Sequence, residues 1–319
     1  MPKKIIIDTD PGVDDSMAIL LAFNSPELEV MGLTTVYGNV TTENGTQNAL
    51  RLVEFAGHPN VPVAHGAELP LQAPLLEIAD MVHGADGLGN TNQPPPRGKA
   101  IDEPAAQFIV ETIMRNPGEI TLVPVGPLTN IALALRLEPR IVQNVAGVIV
   151  MGGAATVNGN VSPAAEANIW HDPHAADVVF TAGWPVTMVG LDVTEATIMT
   201  EAYLQSLKAT GSRTAAFIYD ITRFYQKFHF DLYGVDNIHT HDPSAIMYAL
   251  DPTLFTTVSG PMRVLTEGIA IGQTILDRRE LEGGLETPWS GKPPVNVCVG
   301  VDSPRLLQMF KQRITAPSP

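Results

Sequence analysis

Short runs of apolar, often β-branched residues recur along the chain, each followed by a longer stretch of helical periodicity. IIIDTD at 5–10 precedes DDSMAILLAFNS, and EVMGLTTVYG at 29–38 precedes TENGTQNALRLVEFAG. Strands without polar alternation, separated by amphipathic helices, predict a mostly parallel sheet covered on both faces. The pattern continues with ITLVPVG at 120–126, AGVIVMGG at 146–153 and WPVTMVGLDV at 184–193, the last after a helix that begins near Asp172. In that helix Pro173 suits the first turn and Gly183 the end. Residues 201–233 read as helical, with aromatics spaced along one or two faces. From about 254, weak alternation among many glycines predicts a hairpin-bearing extension packed on the same core. Between 66 and 100 the periodicity dissolves into Gly, Pro and Asn, which predicts a flexible loop or lid over about 76–98, held extended in part by the prolines at 94–96. No stretch has the composition of a linker, so the 319 residues read as one α/β domain, an open, mostly parallel sheet flanked by helices.

Composition narrows the partners. A formal net charge of -15 repels nucleic-acid phosphates and anionic lipid headgroups, which sets both aside. The N-terminus reaches an aspartate-rich turn after three isoleucines, too early for a secretory core, and no apolar stretch has the length of a membrane helix. The lone cysteine, Cys298 in VNVCVGV, has no internal disulfide partner and reads as a buried small hydrophobe in a reducing, cytoplasmic compartment.

The strongest chemical signal is IIIDTDPGVDDSMAILLA, where Asp8, Asp10, Asp14 and Asp15 crowd together without a basic neighbour. A strand ending at Asp8 or Asp10, a PG turn and a helix starting near Asp14 place these carboxylates at the carboxyl edge of the sheet, where open α/β folds bind ligands. Crowded carboxylates call for a divalent cation, and an oxygen-only set favours calcium or magnesium over zinc. Helix capping by Asp14 or Asp15 is the simpler alternative, but it explains one aspartate and not three. Mg²⁺-dependent phosphoryl transfer also fits the spacing, yet no lysine follows a later strand end in the context that chemistry needs.

Other polar residues fall at later strand ends. Asn39 follows the second strand in VYGN, and Asn160, Glu166 and Asn168 follow IVMGG in GNVSPAAEANIWHDP. Amides and a carboxylate on one loop suit vicinal hydroxyls, although an Asn-rich loop also makes its own turns. His241 and Asp242 open a helical run in IHTHDPSAIMYAL, where aspartate before proline is also an ordinary cap.

Together these motifs resemble the calcium-dependent nucleoside N-ribohydrolases, the inosine-uridine preferring nucleoside hydrolases. The resemblance runs from about residue 4 to about residue 310: DTDPGVDD, then VYGN, VHGADGLG, LVPVGPLTNIA, VMGGA, GNVSPAAEAN and HDP in order. It implies an open α/β fold, a homodimer or homotetramer, and hydrolysis of ribonucleosides to free base and ribose. By position it implies that Asp10, Asp15 and Asp242, with the main-chain oxygen of Val125, ligate Ca²⁺, and that Asp10 is the general base. Asp14, Asn39, Asn160, Glu166 and Asn168 would hold the ribose hydroxyls. His83, in the VHGADGLG loop, would approach the 5' side of the sugar or the base, and His241 would lie beside the base. His241, or Tyr225 from the 219–233 helix, can protonate the leaving base, with an aromatic stacking on it. For Tyr225, Phe228 and His229 ordinary helix packing is the competing reading. Two further readings share the site: the same chemistry on an unusual riboside (cytokinin riboside, xanthosine or nicotinamide riboside), and a nucleoside-binding protein without catalysis, against which the intact acidic set argues.

Two positions depart from the family pattern. Val125 stands where a threonine is usual, a change that leaves a main-chain contact intact. AEAN replaces the usual AEFN, so Ala167 stands where an aromatic is expected near the 5' end of the ribose. The smaller side chain predicts an altered 5' preference. Ala167→Phe is expected to change the ratio of kcat/KM on ribosides to that on 5'-deoxyribosides; an unchanged ratio contradicts the role.

Overall fold

The computed structural model describes residues 1–279 and 285–316. Its strands are β1 (Lys3–Thr9), β2 (Leu28–Thr35), β3 (Val63–Ala64), β4 (Ile120–Pro124), β5 (Gly147–Met151), β6 (Val186–Val189), β7 (Ile198–Thr200), β8 (Asn237–His239), β9 (Phe255–Val264), β10 (Thr274–Leu276) and β11 (Pro294–Val301). Nine of them form one sheet in the order β10-β9-β11-β6-β5-β4-β1-β2-β3. Every pairing from β3 across to β11 is parallel, and β9 runs antiparallel to both β11 and β10.

Strand β1 explains why the sequence shows no polar alternation. Ile5 and Ile7 enter one buried layer with Met17, Leu21 and Ile246, while Ile6 enters the opposite layer with Ile109, Leu122 and Ile131. A strand buried on both faces must be apolar at every position. From β1 the chain winds outward to β2 and β3, then returns to the other side of β1 to begin β4, β5 and β6. The order therefore reverses between β1 and β4, and that crevice is where open α/β sheets bind ligands. Asp8 lies opposite Thr34 and Pro124, and its carbonyl accepts from Val125 N at 2.7 Å. The turns after β1 and β4 thus emerge side by side.

Several elements differ from the sequence expectation. Residues 201–233 form two helices, Glu201–Lys208 and Arg213–Tyr233. Gly211, at φ +76°, turns the chain between them, and the Ser212 hydroxyl caps the second by accepting from Ala215 N. The helix after Asp172 spans Pro173–Phe180, with Asp172 accepting from Ala175 N at 3.0 Å. It ends ahead of Gly183, which serves a later turn at φ +92°. Beyond the β9–β10 hairpin, β11 enters the main sheet beside β6, and the helix Ser303–Ile314 follows. Within 66–100 a single turn of helix forms at Asp80–His83. The loop after it is organised by Asp86, whose carboxylate accepts from the backbone of Leu88, Asn90 and Asn92. Cys298 is buried, which pushes its thiol up to about 12. Among the described residues no helix is long and apolar enough to cross a membrane.

Candidate active site

The turn after β1 delivers the carboxylates. The helix Val13–Phe23 begins directly after Gly12, so Asp14 and Asp15 lie in its first turn. Asp15 does cap that helix: its Oδ2 accepts from Gly12 N at 2.9 Å and from Asn39 Nδ2 at 2.9 Å. Its Oδ1 accepts from the Thr9 hydroxyl and from Asp10 N at 3.2 Å. Capping accounts for Asp15 but leaves the other acids unexplained. Asp10 Oδ2 accepts from Asn39 N at 2.7 Å. The Asp10 carboxylate fits only because its neighbours are glycines: a Cβ on Gly38 would lie 2.1 Å from Oδ2, and one on Gly126 would lie 2.5 Å from Oδ1. Asp242 arrives from the other side on the helix His241–Leu250, which packs against Val13–Phe23.

Asp14, Asp15 and Asp242 each bring a carboxylate oxygen within 4.8 Å of the other two, and all three residues are buried. Asp10 lies outside that trio, joined to it through Asp15 and Asn39. Burial, reinforced by the neighbouring carboxylates, raises the proton affinity of the group. Asp242 is held well above the ordinary carboxylate range by burial and then by Asp14, Asp15, Asp10 and Glu166. Asp10 is likewise raised by burial and by Asp15, and burial pushes Asp14 up to about 6. Asp10 Oδ1, Asp14 Oδ1 and Asp242 Oδ2 are buried with no hydrogen-bond partner among the described residues. Buried charge without a partner is costly, and an all-oxygen set with orphaned lone pairs fits a hard divalent cation. The Val125 carbonyl, at the end of β4, accepts Asn168 Nδ2 at 2.9 Å and keeps a second lone pair.

On the next loop Glu166 caps the helix Ala167–His171. Its carboxylate accepts from Asn168 N at 2.9 Å, Ile169 N at 3.1 Å and Gly153 N at 2.9 Å. Burial raises its pKa and these three donors pull it back. Asn168 is fixed through its amide to the carbonyls of Val125 and Met151. Asn160 is exposed, and its side-chain oxygen accepts from Ala167 N at 3.0 Å, the self-made turn that the loop composition also allowed.

The remaining wall is made of rings. His83 Nδ1 accepts from Val13 N at 3.2 Å, which makes it the unprotonated nitrogen of a neutral imidazole, 3.8 Å from Asp14 Oδ1. Burial pushes His83 down to about 4. Ring centroids then step 5.7 Å from His83 to Tyr225, 4.7 Å to His229, 5.1 Å to His239 and 5.6 Å to His241. Burial, then the neighbouring His239, His229 and His83, hold His241 well below the usual histidine range, and Thr194 Oγ1 lies 2.9 Å from its Nδ1. Burial lifts the Tyr225 hydroxyl well above its ordinary range, so it keeps its proton. Tyr225 and His229 therefore both pack and line the ring wall. His239 and Thr194 were not singled out from the sequence. His239 carried a usable signal, standing two residues before His241 in IHTHDP, at the end of β8 and just ahead of the helix that His241 opens; Thr194, distant in sequence, carried none.

The family described as "Inosine-uridine preferring nucleoside hydrolase" matches residues 5–308. A rice (Oryza sativa subsp. japonica) protein named "Probable uridine nucleosidase 1" is 46% identical over 98% of this chain and 97% of its own. An "Inosine-uridine preferring nucleoside hydrolase" of Leishmania major is 45% identical over 88% of this chain and 89% of its own. The solved structure of a plant nucleoside hydrolase superposes with a TM-score of 0.97 at 45% identity, covering 99% of this chain and all of that one.

Because Asp242 is destabilised by burial beside other carboxylates, Asp242→Asn is expected to stabilise the protein in chelator by about 0.5–2 kcal/mol and to weaken divalent-cation binding. Thermal unfolding with and without cation checks both. A variant less stable than wild type in chelator contradicts the electrostatic account.

Proposed function

Since the chain belongs to the inosine-uridine preferring nucleoside hydrolase family, we propose that it hydrolyses the N-glycosidic bond of ribonucleosides, uridine first and inosine second, with Ca²⁺ held by its buried aspartates. The observation that carries this reading is the buried acidic cluster at the β1/β4 switch point, with orphaned oxygens on Asp10, Asp14 and Asp242. Asp10, Asp15, Asp242 and the Val125 carbonyl would hold the ion, with Asp14 close enough to share in it. A calcium ion held there would offset the carboxylate repulsion and supply the acidification of water that metal ions give in hydrolases.

The protein's own groups do the rest. Cleavage places positive charge on the ribosyl ring and negative charge on the departing base. Asp10 is the general base: its Oδ1, left without a hydrogen-bond partner, takes the proton of the attacking water. Asp14, Asn39, Asn160, Glu166 and Asn168 grip the ribose hydroxyls. Glu166 and Asn168 are already fixed by backbone partners, so they favour the flattened, cationic sugar without reorganising. His83 closes the 5' side. On the base side, His229 and Tyr225 stack, and the proton for the leaving nitrogen comes from the single N–H of His241, which burial keeps a neutral imidazole, or from the Tyr225 hydroxyl, which keeps its proton. The uridine preference is supported by the name of the rice relative at 46% identity, and inosine by that of the Leishmania protein. A cytoplasmic homodimer or homotetramer completes the reading, the compartment resting on the single buried Cys298 and the assembly on the family resemblance.

Steady-state assay of uridine, inosine, adenosine, guanosine, cytidine and xanthosine tests it. Free base and ribose are expected from uridine and inosine, lost on chelation and restored by calcium. Bound nucleoside with no base released identifies a binding protein instead.

A further inference from the structure

A cavity of about 630 Å³ lies away from the carboxylate cluster, where the helices Thr42–Phe55 and Arg213–Tyr233 meet the proline segment at 94–96. Its charge is anomalous for a chain of net charge -15. Seven arginines pair with carboxylates: Arg115, Arg140, Arg223, Arg263, Arg279, Arg305 and Arg313. Among the described residues the other five form no ion pair, and three of these, Arg51, Arg97 and Arg213, line this one cavity. Glu54, the acidic residue of its wall, is committed to the backbone N–H groups of Arg97 and Gly98, both at 2.6 Å.

The cavity also has a ring-binding side. Phe55 and Phe217 lie 4.6 Å apart between centroids, and the Arg213 guanidinium sits 4.2 Å over the Phe55 ring. Arg51 is held in place by Pro94 O at 2.9 Å and Asn48 Oδ1 at 2.7 Å, and Asn48 is itself anchored to Pro11 O and Asp86 O. A fixed guanidinium loses little freedom on meeting an anion, and its planar fork suits a phosphate. The volume falls in the range of small-molecule sites, roughly 300–1,000 Å³.

We propose that this cavity is a second ligand site, for a small molecule that joins a flat ring to an anionic group, a nucleoside 5'-monophosphate being the class that fits. The ring lies against Phe55 and Phe217, and the phosphate engages Arg51, Arg97 and Arg213. None of these residues belongs to the catalytic cluster, so the site stands independently of the hydrolase reading.

Isothermal titration of uridine 5'-monophosphate into the calcium-loaded full chain tests it, with inorganic phosphate as a separate probe. Wild type is expected to bind one monophosphate per chain at this site. Arg97→Gln/Arg213→Gln is expected to bind it about tenfold or more weakly, while keeping wild-type kcat and KM on uridine. Both arginines are exposed, so the fold tolerates the change. No saturable binding, or equal affinity in the double variant, overturns the site. Inorganic phosphate binding as tightly as the monophosphate overturns the ring recognition.

Discussion

The structure depends on one electrostatic constraint: four buried aspartates from two segments far apart in sequence converge on a space too small and too dry to hold their charge unaided. Everything around the site manages that repulsion. Asp15 is satisfied by the Thr9 hydroxyl, the Asn39 amide and backbone N–H groups, and Asp10 by Asn39 N. What those donors leave over is a set of orphaned oxygens on carboxylates that could hold a metal ion.

The sheet makes the convergence possible. Asp10 and Val125 adjoin because β1 and β4 are neighbours across the reversal of strand order. Asp242 joins them because its helix packs against the helix that begins at Val13. Glycines at 38 and 126 then let the Asp10 carboxylate lie where a side chain would otherwise collide with it.

Much of this was legible in the sequence. The parallel strands announced themselves because burial on both faces forbids polar residues, as at Ile5, Ile6 and Ile7. The acid cluster was plain in part: Asp10, Asp14 and Asp15 stand together without a basic neighbour, but Asp8, read with them, instead accepts from the Thr34 hydroxyl and the Asn130 amide, and Asp242 comes from a distant helix. Boundaries set by a single residue were harder. Gly211 split a region that read as continuous helix, because a glycine in a helical pattern is tolerated as often as it breaks one. Long-range neighbours were hardest. Thr194 reaches His241 only in the fold, from 47 residues away. The arginine-lined cavity was likewise invisible, because Arg51, Arg97 and Arg213 are remote in sequence and meet only in the fold.

The most direct test of the central claim is a calcium titration of the metal-free protein followed by calorimetry, with Asp15→Asn alongside. The account predicts saturable uptake of one Ca²⁺ per chain, lost or strongly weakened in the variant. Absence of saturable uptake by wild type, or uptake that the variant leaves unchanged, would contradict the view that these buried carboxylates are organised around a cation.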